Sequence, residues 1–245
     1  MPTIHEAAQR GDVEALGREL ASGVSPNALD SAGWTPLHNL CYNGRDNVEA
    51  RLACLTALIE AGADIDHAQN DDQSTPLHFA AGDCPANVIA ALIKAGADVN
   101  VTPRCSDRGA NNFTPLYAAC ERSDVEPAKV LIRNGADVNA RASHGVTPLD
   151  WAISWSRRRL VPILLRAGAA LPAASLSSLI LIRDCATPFA HKTNAYIQKV
   201  IAAGGIDHYE RTHLATLTAT VKSKLGLPAR PARRVAEYAF HAGDY

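Results

Sequence analysis

The tripeptide Thr-Pro-Leu occurs four times in this chain at nearly even spacing. Its copies begin at Thr35, Thr75, Thr114 and Thr147, so the separations are 40, 39 and 33 residues. A Gly-Ala pair follows each copy, 27 residues after the first Thr and 21 residues after each of the other three. Linked landmarks at a regular period indicate a repeat architecture, in which each unit covers the apolar face of its neighbour.

Each repeat carries the local signals of two short helices. The Thr side chain can cap free N–H groups at a helix start, and Pro at the first helical position loses no needed donor. In the third unit, Leu77, Ala80 and Ala81 then share one face. A second apolar helix is predicted over 88–95, and Gly96 ends it in the left-handed conformation that glycine tolerates.

The motif residues resemble the signature of the ankyrin-repeat family, whose unit is about 33 residues long and reads T-P-L-H-x-A. The resemblance covers residues 1 to about 170. It implies an all-α fold, an ankyrin-repeat solenoid of stacked helix-turn-helix units joined by β-hairpin-like loops. It also implies that the motif histidine bonds backbone and the Thr hydroxyl across neighbouring units. That structural role falls on Thr35, His38, Thr75, His78, Thr114 and Thr147, whereas Tyr117 and Asp150 replace the histidine in the later units.

Four regions are predicted along the chain. Residues 1–33 form an N-terminal capping repeat, 34–172 four ankyrin repeats, 173–205 a degenerate ankyrin-like helix pair, and 206–245 a C-terminal helical tail. Two stretches are each about six residues longer than the repeat requires. The first lies between Gly44 and Gly62 and is expected to lengthen a loop or a second helix. The other, before Thr114, predicts an enlarged hairpin tip over 102–112.

Composition and motifs argue against several classes of function. The net charge is −1, so nothing global attracts the chain to nucleic acid or to an anionic membrane. No signal core and no apolar run long enough to span a bilayer is found, and the six cysteines show no CxxC spacing. No phosphate loop, nucleophile elbow or metal-ligand cluster occurs. We therefore expect a soluble protein of the cytoplasm or nucleus that is not an enzyme and needs no metal or cofactor.

A partner-binding surface follows from the resemblance, because ankyrin repeats usually bind other proteins with their hairpin tips and the outward face of their first helices. Aligning the units on Thr-Pro-Leu places three positions of each first helix on that concave face. Trp151 and Trp155 could instead cover the junction with the degenerate helix pair, and Trp34 and Phe113 are assigned to hairpin packing. The predicted binding residues are Tyr42, Phe79, Glu121, Arg122, Trp151 and Trp155, with Arg104 and Arg108 at the enlarged tip.

Two hypotheses of function remain open. The first is a scaffold or adaptor that binds another protein, whose identity the sequence does not name. The second concerns the tail, where Leu214, Leu217 and the pair Leu227-Pro228 resemble the box that follows ankyrin repeats in some substrate receptors of ubiquitin ligases. In that family a cysteine is expected near Thr218, and a longer linker before Leu227. The simpler interpretation of the tail is a helical cap that seals the last repeat.

Overall fold

The structure is a computed structural model. It describes residues 2–42, 44, 47–69, 73–102, 113–122, 124–142, 145–155, 157–170, 196–225, 228–230, 232–233 and 236. The chain divides into two compact units, Met1–Ala152 and Ile153–Tyr245. Within the described ranges the regular structure is helical and no β-strand occurs. The all-α prediction is therefore confirmed.

The first unit is built from helix pairs that follow one another along the chain. The first helix of each pair packs against the first helix of the next pair, and the second helices form a parallel row of contacts. The pairs are α1 (Ile4–Arg10) with α2 (Val13–Ala21), α3 (Pro36–Cys41) with α4 (Val48–Glu60), α5 (Pro76–Asp83) with α6 (Ala86–Lys94), and α7 (Pro115–Cys120) with α8 (Glu126–Arg133); α9 (Pro148–Ser154) begins the fifth.

Leucines from every pair form a continuous core between the two rows of helices. Each fully buried leucine contributes roughly 1.5–3 kcal/mol relative to an exposed one. Because each pair leaves one face uncovered, this stability comes from stacking rather than from a single pair. The fully buried leucines of this unit are Leu16, Leu37, Leu40, Leu55, Leu58, Leu77, Leu92, Leu116, Leu131 and Leu149.

The helix starts lie where the motif predicts them. Helices α3, α5, α7 and α9 each begin at the Pro of Thr-Pro-Leu. The backbone of the preceding residue is extended at Thr35, Thr75 and Thr114. The second helices α4 and α6 are followed by Gly62 at φ 86° and Gly96 at φ 107°. A side chain with a Cβ is strained at such angles, so glycine is required to turn the chain out of the helix.

Hairpin-like tips join consecutive pairs. Backbone hydrogen bonds close them, among them one from the Asp30 N–H to the Trp34 carbonyl at 3.0 Å and one from the Ala142 N–H to the Val146 carbonyl at 2.9 Å. The first insertion lengthens both a loop and a helix: six residues separate α3 from α4, and α4 has 13 residues against nine in α6. The enlarged tip predicted before Thr114 lies outside the described residues.

The second unit contains α10 (Leu160–Arg166), a helical stretch at residues 196–202 and α11 (Ile206–Leu225). The Arg166 guanidinium bonds the Glu210 carboxylate, with Nη2 2.6 Å from Oε1, and joins α10 to α11. Helix α11 lies at the start of the predicted helical tail, 206–245. Most of the predicted degenerate helix pair, 173–205, and most of the tail after Leu225 fall outside the described residues. Among the described helices, none is long and apolar enough to cross a bilayer.

Candidate functional site

The motif histidine of the second repeat unit links two neighbouring repeat units through both of its ring nitrogens. From here on, a unit means one repeat. His38 Nδ1 lies 2.8 Å from the Thr35 hydroxyl oxygen and accepts the Thr35 N–H at 3.2 Å. Its Nε2 lies 3.1 Å from the Ser74 carbonyl oxygen, which belongs to the next unit. Because Nδ1 accepts and a carbonyl needs a donor, the neutral ring carries its proton on Nε2.

The same link recurs in the neighbouring units. His78 pairs with the Thr75 hydroxyl at 3.0 Å and donates from Nε2 to the Phe113 carbonyl at 2.8 Å. His5 reaches the Trp34 carbonyl at 3.2 Å, although its unit lacks Thr-Pro-Leu. Sequence reasoning missed His5 as a member of this series. Its signal was the 33-residue spacing to His38, which equals one repeat.

His38 and His78 use both ring nitrogens for contacts inside the fold. His38 is fully buried. Burial lowers the pKa of His38 to about 4, aided by repulsion from His67 and opposed by its hydrogen bond to Ser74. The His38 ring therefore stays neutral near neutral pH. These contacts are the ones that the resemblance implies, and a purely structural role for the two histidines stays a prediction.

The fourth and fifth units fill the histidine slot differently. Asp150 accepts the Thr147 N–H at 2.9 Å and the Thr147 hydroxyl at 2.8 Å, so a carboxylate replaces the imidazole as the local cap. Tyr117 offers no such acceptor, and among the described residues the buried Thr114 hydroxyl finds no hydrogen-bond partner. The capping prediction for Thr114 was therefore wrong for its side chain, because the aromatic replacement removes the acceptor.

Three aromatic rings from the second and third repeat units meet one another. The Trp34 centroid lies 5.2 Å from that of Tyr42 and 4.8 Å from that of Phe79, and the Tyr42 and Phe79 centroids are 6.2 Å apart. Tyr42 is 38% exposed, and the other two rings are half-buried. We call Trp34, Tyr42 and Phe79 the N-terminal aromatic cluster. Trp34 was assigned to hairpin packing alone, yet its ring is the centre of this cluster.

A carboxylate lies beside this cluster. Asp30 Oδ1 accepts the N–H groups of Ala32 and Trp34, both at 2.9 Å, and Oδ2 accepts Asn39 Nδ2 at 3.3 Å. Burial raises the pKa of Asp30, but the hydrogen bonds from Trp34, Asn39 and Ala32 outweigh it, so the pKa lies below its usual value. Asp30 is therefore ionised at neutral pH and fixed in position.

A second aromatic cluster forms around the fourth unit, from Phe113, Tyr117 and Trp151. The rings of Phe113 and Tyr117 are stacked at 4.2 Å, and Trp151 lies 4.9 Å from Tyr117. Tyr117 is buried and Trp151 is half-buried. Trp151 was predicted to share a surface with Tyr42 and Phe79, and its ring lies against Phe113 and Tyr117 of this second cluster.

The remaining predicted binding residues fall in three situations. Glu121 is exposed at the end of α7, whereas the neighbouring Arg122 donates from Nη1 to the Cys84 carbonyl at 2.5 Å and so holds the end of α5. Trp155 is 39% exposed and belongs to the compact unit Ile153–Tyr245. Arg104 and Arg108 lie outside the described residues.

Comparison with known proteins decides the family. A family model described as ankyrin repeats (3 copies) matches residues 4–103 and 101–173. The chain belongs to the ankyrin-repeat family. Human ankyrin repeat and SOCS box protein 16 is similar at 33% identity over 68% of this chain and 45% of its own length. The mouse B-cell lymphoma 3 protein homolog is 29% identical over 61% of this chain and 32% of its own length.

Ankyrin repeats are protein-interaction modules, and this chain is one. Human ankyrin repeat and SOCS box protein 11 is 35% identical over 54% of this chain and 36% of its own length. The chain thus spans less than half of the length of these ankyrin-repeat relatives.

The described chemistry of this ankyrin-repeat chain is that of a packed scaffold. Burial raises the pKa of the Cys54 thiol to about 11 and that of Cys120 to about 12, so both thiols stay protonated. Cys41 and Cys120 are fully buried in the core. No cluster of three or more metal-ligating side chains occurs among the described residues.

Proposed function

We propose that this ankyrin-repeat chain is a scaffold or adaptor, and that it binds a partner protein through its hairpin tips and the outward face of its first helices. The N-terminal aromatic cluster carries this proposal. It comes from two successive first helices, α3 and α5, and from the tip before α3. Partners of such modules contact several units at once, so a surface shared by two units is where binding is expected.

Aromatic side chains supply much of the energy at protein interfaces. Their loss commonly costs about 2 kcal/mol or more when they form the centre of a contact. Here three rings support one another by edge and tilted contacts, which fixes them before a partner arrives. Tyr42 is 38% exposed, so part of its ring is open to a partner. A rigid, partly exposed aromatic surface of this kind favours binding with little loss of conformational freedom.

Other predicted contacts extend this surface as part of the proposal. Glu121 would form a polar rim, and Arg104 and Arg108 would contribute from the enlarged tip. Arg122 would act through the end of α5, where its side chain is held. Trp151 and Trp155 would bind the partner, or else cover the neighbouring helices, as the sequence left open.

An intracellular location and a non-catalytic role belong to the same proposal. Four described cysteines, Cys41, Cys54, Cys84 and Cys120, are free thiols. Free, buried thiols are typical of proteins from reducing compartments. Together with the structural use of the histidines, this favours an adaptor of the cytoplasm or nucleus over an enzyme.

The test is capture of partners from lysate of the native cell with three full-length baits: the unchanged chain, Phe79→Ala with Tyr42→Ala, and Val13→Ala. Val13 is a matched control, since it is an exposed apolar residue at 38% but lies on α2, in the row of second helices. We expect partners to be lost with the double variant and kept with the control. Circular dichroism melting must show that every bait is folded. Partners retained by the folded double variant would refute the proposed surface.

A second candidate function is recruitment of a ubiquitin ligase by the tail. It is favoured by the relatives that are named ankyrin repeat and SOCS box proteins. In this chain α11 is one 20-residue helix that contains Leu214 and Leu217, with both side chains half-buried. The position where a cysteine is expected is Thr218, whose hydroxyl donates to the Leu214 carbonyl at 2.7 Å.

Substitution of the tail separates this candidate from the first. If the tail recruits a ligase, cullin-type ligase subunits will copurify with the full-length chain and will be lost with Leu214→Asp and Leu217→Asp. The exposed Ala215→Asp on the same helix is the control. Absence of ligase subunits from the unchanged chain, under conditions where other partners are captured, would exclude this function.

A further inference from the structure

The N-terminal aromatic cluster and the carboxylate beside it form a more specific surface than an apolar patch. Trp34 and Tyr42 meet nearly at right angles, at 78° between their planes, and Tyr42 and Phe79 meet at 81°. The His38 ring also packs edge-on against Phe79, with 5.8 Å between the ring centroids, and Tyr42, at 38% exposed, is the most open of the three rings. Their faces carry the negative part of the aromatic quadrupole, and such faces attract cations.

Asp30 supplies a fixed negative charge on the tip that carries Trp34. Its Oδ1 is fully used by two backbone N–H groups of the tip, whereas Oδ2 accepts one described donor, Asn39 Nδ2, at 3.3 Å. A carboxylate offers about four acceptor positions, so Oδ2 keeps one for a further donor. The tip hydrogen bonds hold the carboxylate in place whether or not a ligand is present.

We propose that the N-terminal aromatic cluster and Asp30 together bind the side chain of an arginine on the partner protein. This inference rests on the proposed function and names the chemistry of the contact. A guanidinium is planar, stacks on aromatic faces and directs its N–H donors outward in its own plane. One side chain can therefore stack on a ring and donate to Asp30 Oδ2 at once. A lysine ammonium is a compact, strongly hydrated charge that cannot stack in this way.

The tryptophan indole N–H signals of the full-length, ¹⁵N-labelled chain report on the two clusters separately. The chain has three tryptophans, and Trp34→Phe and Trp151→Phe assign their signals. The probe is Nα-acetyl-arginine amide, and the control is Nα-acetyl-citrulline amide, which has the same shape without the charge. We expect a saturable shift of the Trp34 signal with the arginine probe, and binding at least about tenfold weaker with the citrulline control.

Asp30→Asn tests the carboxylate itself. The amide oxygen can still accept the N–H groups of Ala32 and Trp34, so the tip is expected to keep its shape, while the negative charge is removed. Arginine binding at Trp34 should weaken about tenfold, which corresponds to about 1.4 kcal/mol. Equal binding of arginine and citrulline by the unchanged chain would overturn the proposal, and that comparison needs no variant to fold.

The inference and the proposed function can fail separately. If a captured partner is lost with Phe79→Ala and Tyr42→Ala but is kept by Asp30→Asn, and the arginine probe leaves Trp34 unmoved, the surface binds its partner by another chemistry. If the probe binds at Trp34 but the captured partners ignore the double variant, the proposed surface is wrong, and the arginine assignment falls with it.

Discussion

The first three repeat units and the two that follow have helices in the same positions. They differ in the side chain that fills the position of the motif histidine. His5, His38 and His78 each reach a backbone carbonyl just before the next motif Thr, so buried hydrogen bonds join those units. In the fourth and fifth units Tyr117 stacks on Phe113, and Asp150 caps its own helix. The fold is therefore compatible with directional polar links or with ring packing at this position, but the two should respond differently to substitution and to pH.

The largest expected effect concerns Arg51, a buried arginine within the first three repeat units. Arg51 is 4% exposed, and its guanidinium donates to the Leu40 carbonyl at 2.6 Å and to the Gln9 carbonyl at 3.0 Å. It thus ties α4 to the ends of α1 and α3. Arg51→Met should lower the free energy of unfolding by about 3 kcal/mol or more, because buried carbonyls lose charged donors.

Arg122→Met is the matched control in the later region. Arg122 likewise donates to a carbonyl at the end of a first helix, that of Cys84, but it is only half-buried. Its loss should cost about 1 kcal/mol, because water can replace a partly exposed donor. Urea denaturation measures both values. Equal losses for the two variants would show that the N-terminal units do not depend more strongly on buried polar links.

The next effect is a dependence of stability on pH that comes from His38. The pKa of His38 is lowered to about 4 in the folded chain, so the unfolded chain takes up its proton first as the pH falls. The stability that His38 contributes is complete above about pH 6.5 and is lost as the pH falls toward 4. The loss amounts to about 3 kcal/mol, by the linkage between a pKa shift and stability.

His38→Asn isolates this effect from the other titrating groups. The Asn side chain retains an acceptor for Thr35 but is too short for the link to Ser74, and it does not titrate. We expect the difference in unfolding free energy between the unchanged chain and His38→Asn to shrink between pH 7 and pH 4.5, measured by urea denaturation at each pH. A difference that stays constant over this range would contradict a neutral, buried His38.

A smaller effect distinguishes the caps of the second and fourth units. Thr35→Val removes a hydroxyl that bonds His38 at 2.8 Å and should cost about 1–2 kcal/mol. Thr114→Val removes a buried hydroxyl with no partner among the described residues and should be neutral or stabilising by up to about 1 kcal/mol. Thermal melts of the two valine variants give the comparison. If both lose the same stability, the Thr114 hydroxyl is bonded in solution.

Sequence reasoning located what depends on local chemistry. Thr, Pro and Leu act within one helix turn, so α3, α5, α7 and α9 begin where the motif places them. It could not locate contacts between distant residues. Trp34 meets Phe79 only because two units stack, and the Arg122 guanidinium reaches a carbonyl 38 residues earlier in the chain. His5 was missed because its own unit has no Thr-Pro-Leu, although its spacing to His38 was available.

The smallest expected effect on stability concerns the loops that follow the second helices. The hydrogen bonds that join neighbouring units there differ from one loop to the next. Asn100 donates to the Gly135 carbonyl at 3.0 Å and accepts the Asp137 N–H at 2.8 Å, which joins the third unit to the fourth. Asp66 holds the equivalent position one unit earlier and only accepts, from the Asp98 N–H at 3.1 Å. Burial raises the pKa of Asp66, and repulsion from Asp98 and Asp64 adds to the effect, although the hydrogen bond from Asp98 opposes it.

Asp66→Asn should therefore stabilise the chain by about 0.5–1 kcal/mol, since an amide restores the donor and removes the repulsion. Asn100→Asp should destabilise it by a similar amount, because it turns the later junction into a copy of the earlier one. Unfolding free energies at pH 7 measure both changes. The gain from Asp66→Asn should diminish as the pH falls and Asp66 becomes protonated, since its repulsion then disappears. A variant Asp66→Asn that is less stable at pH 7 would mean that the carboxylate itself is favoured at this junction, and that the two junctions are not equivalent sites for the same residue.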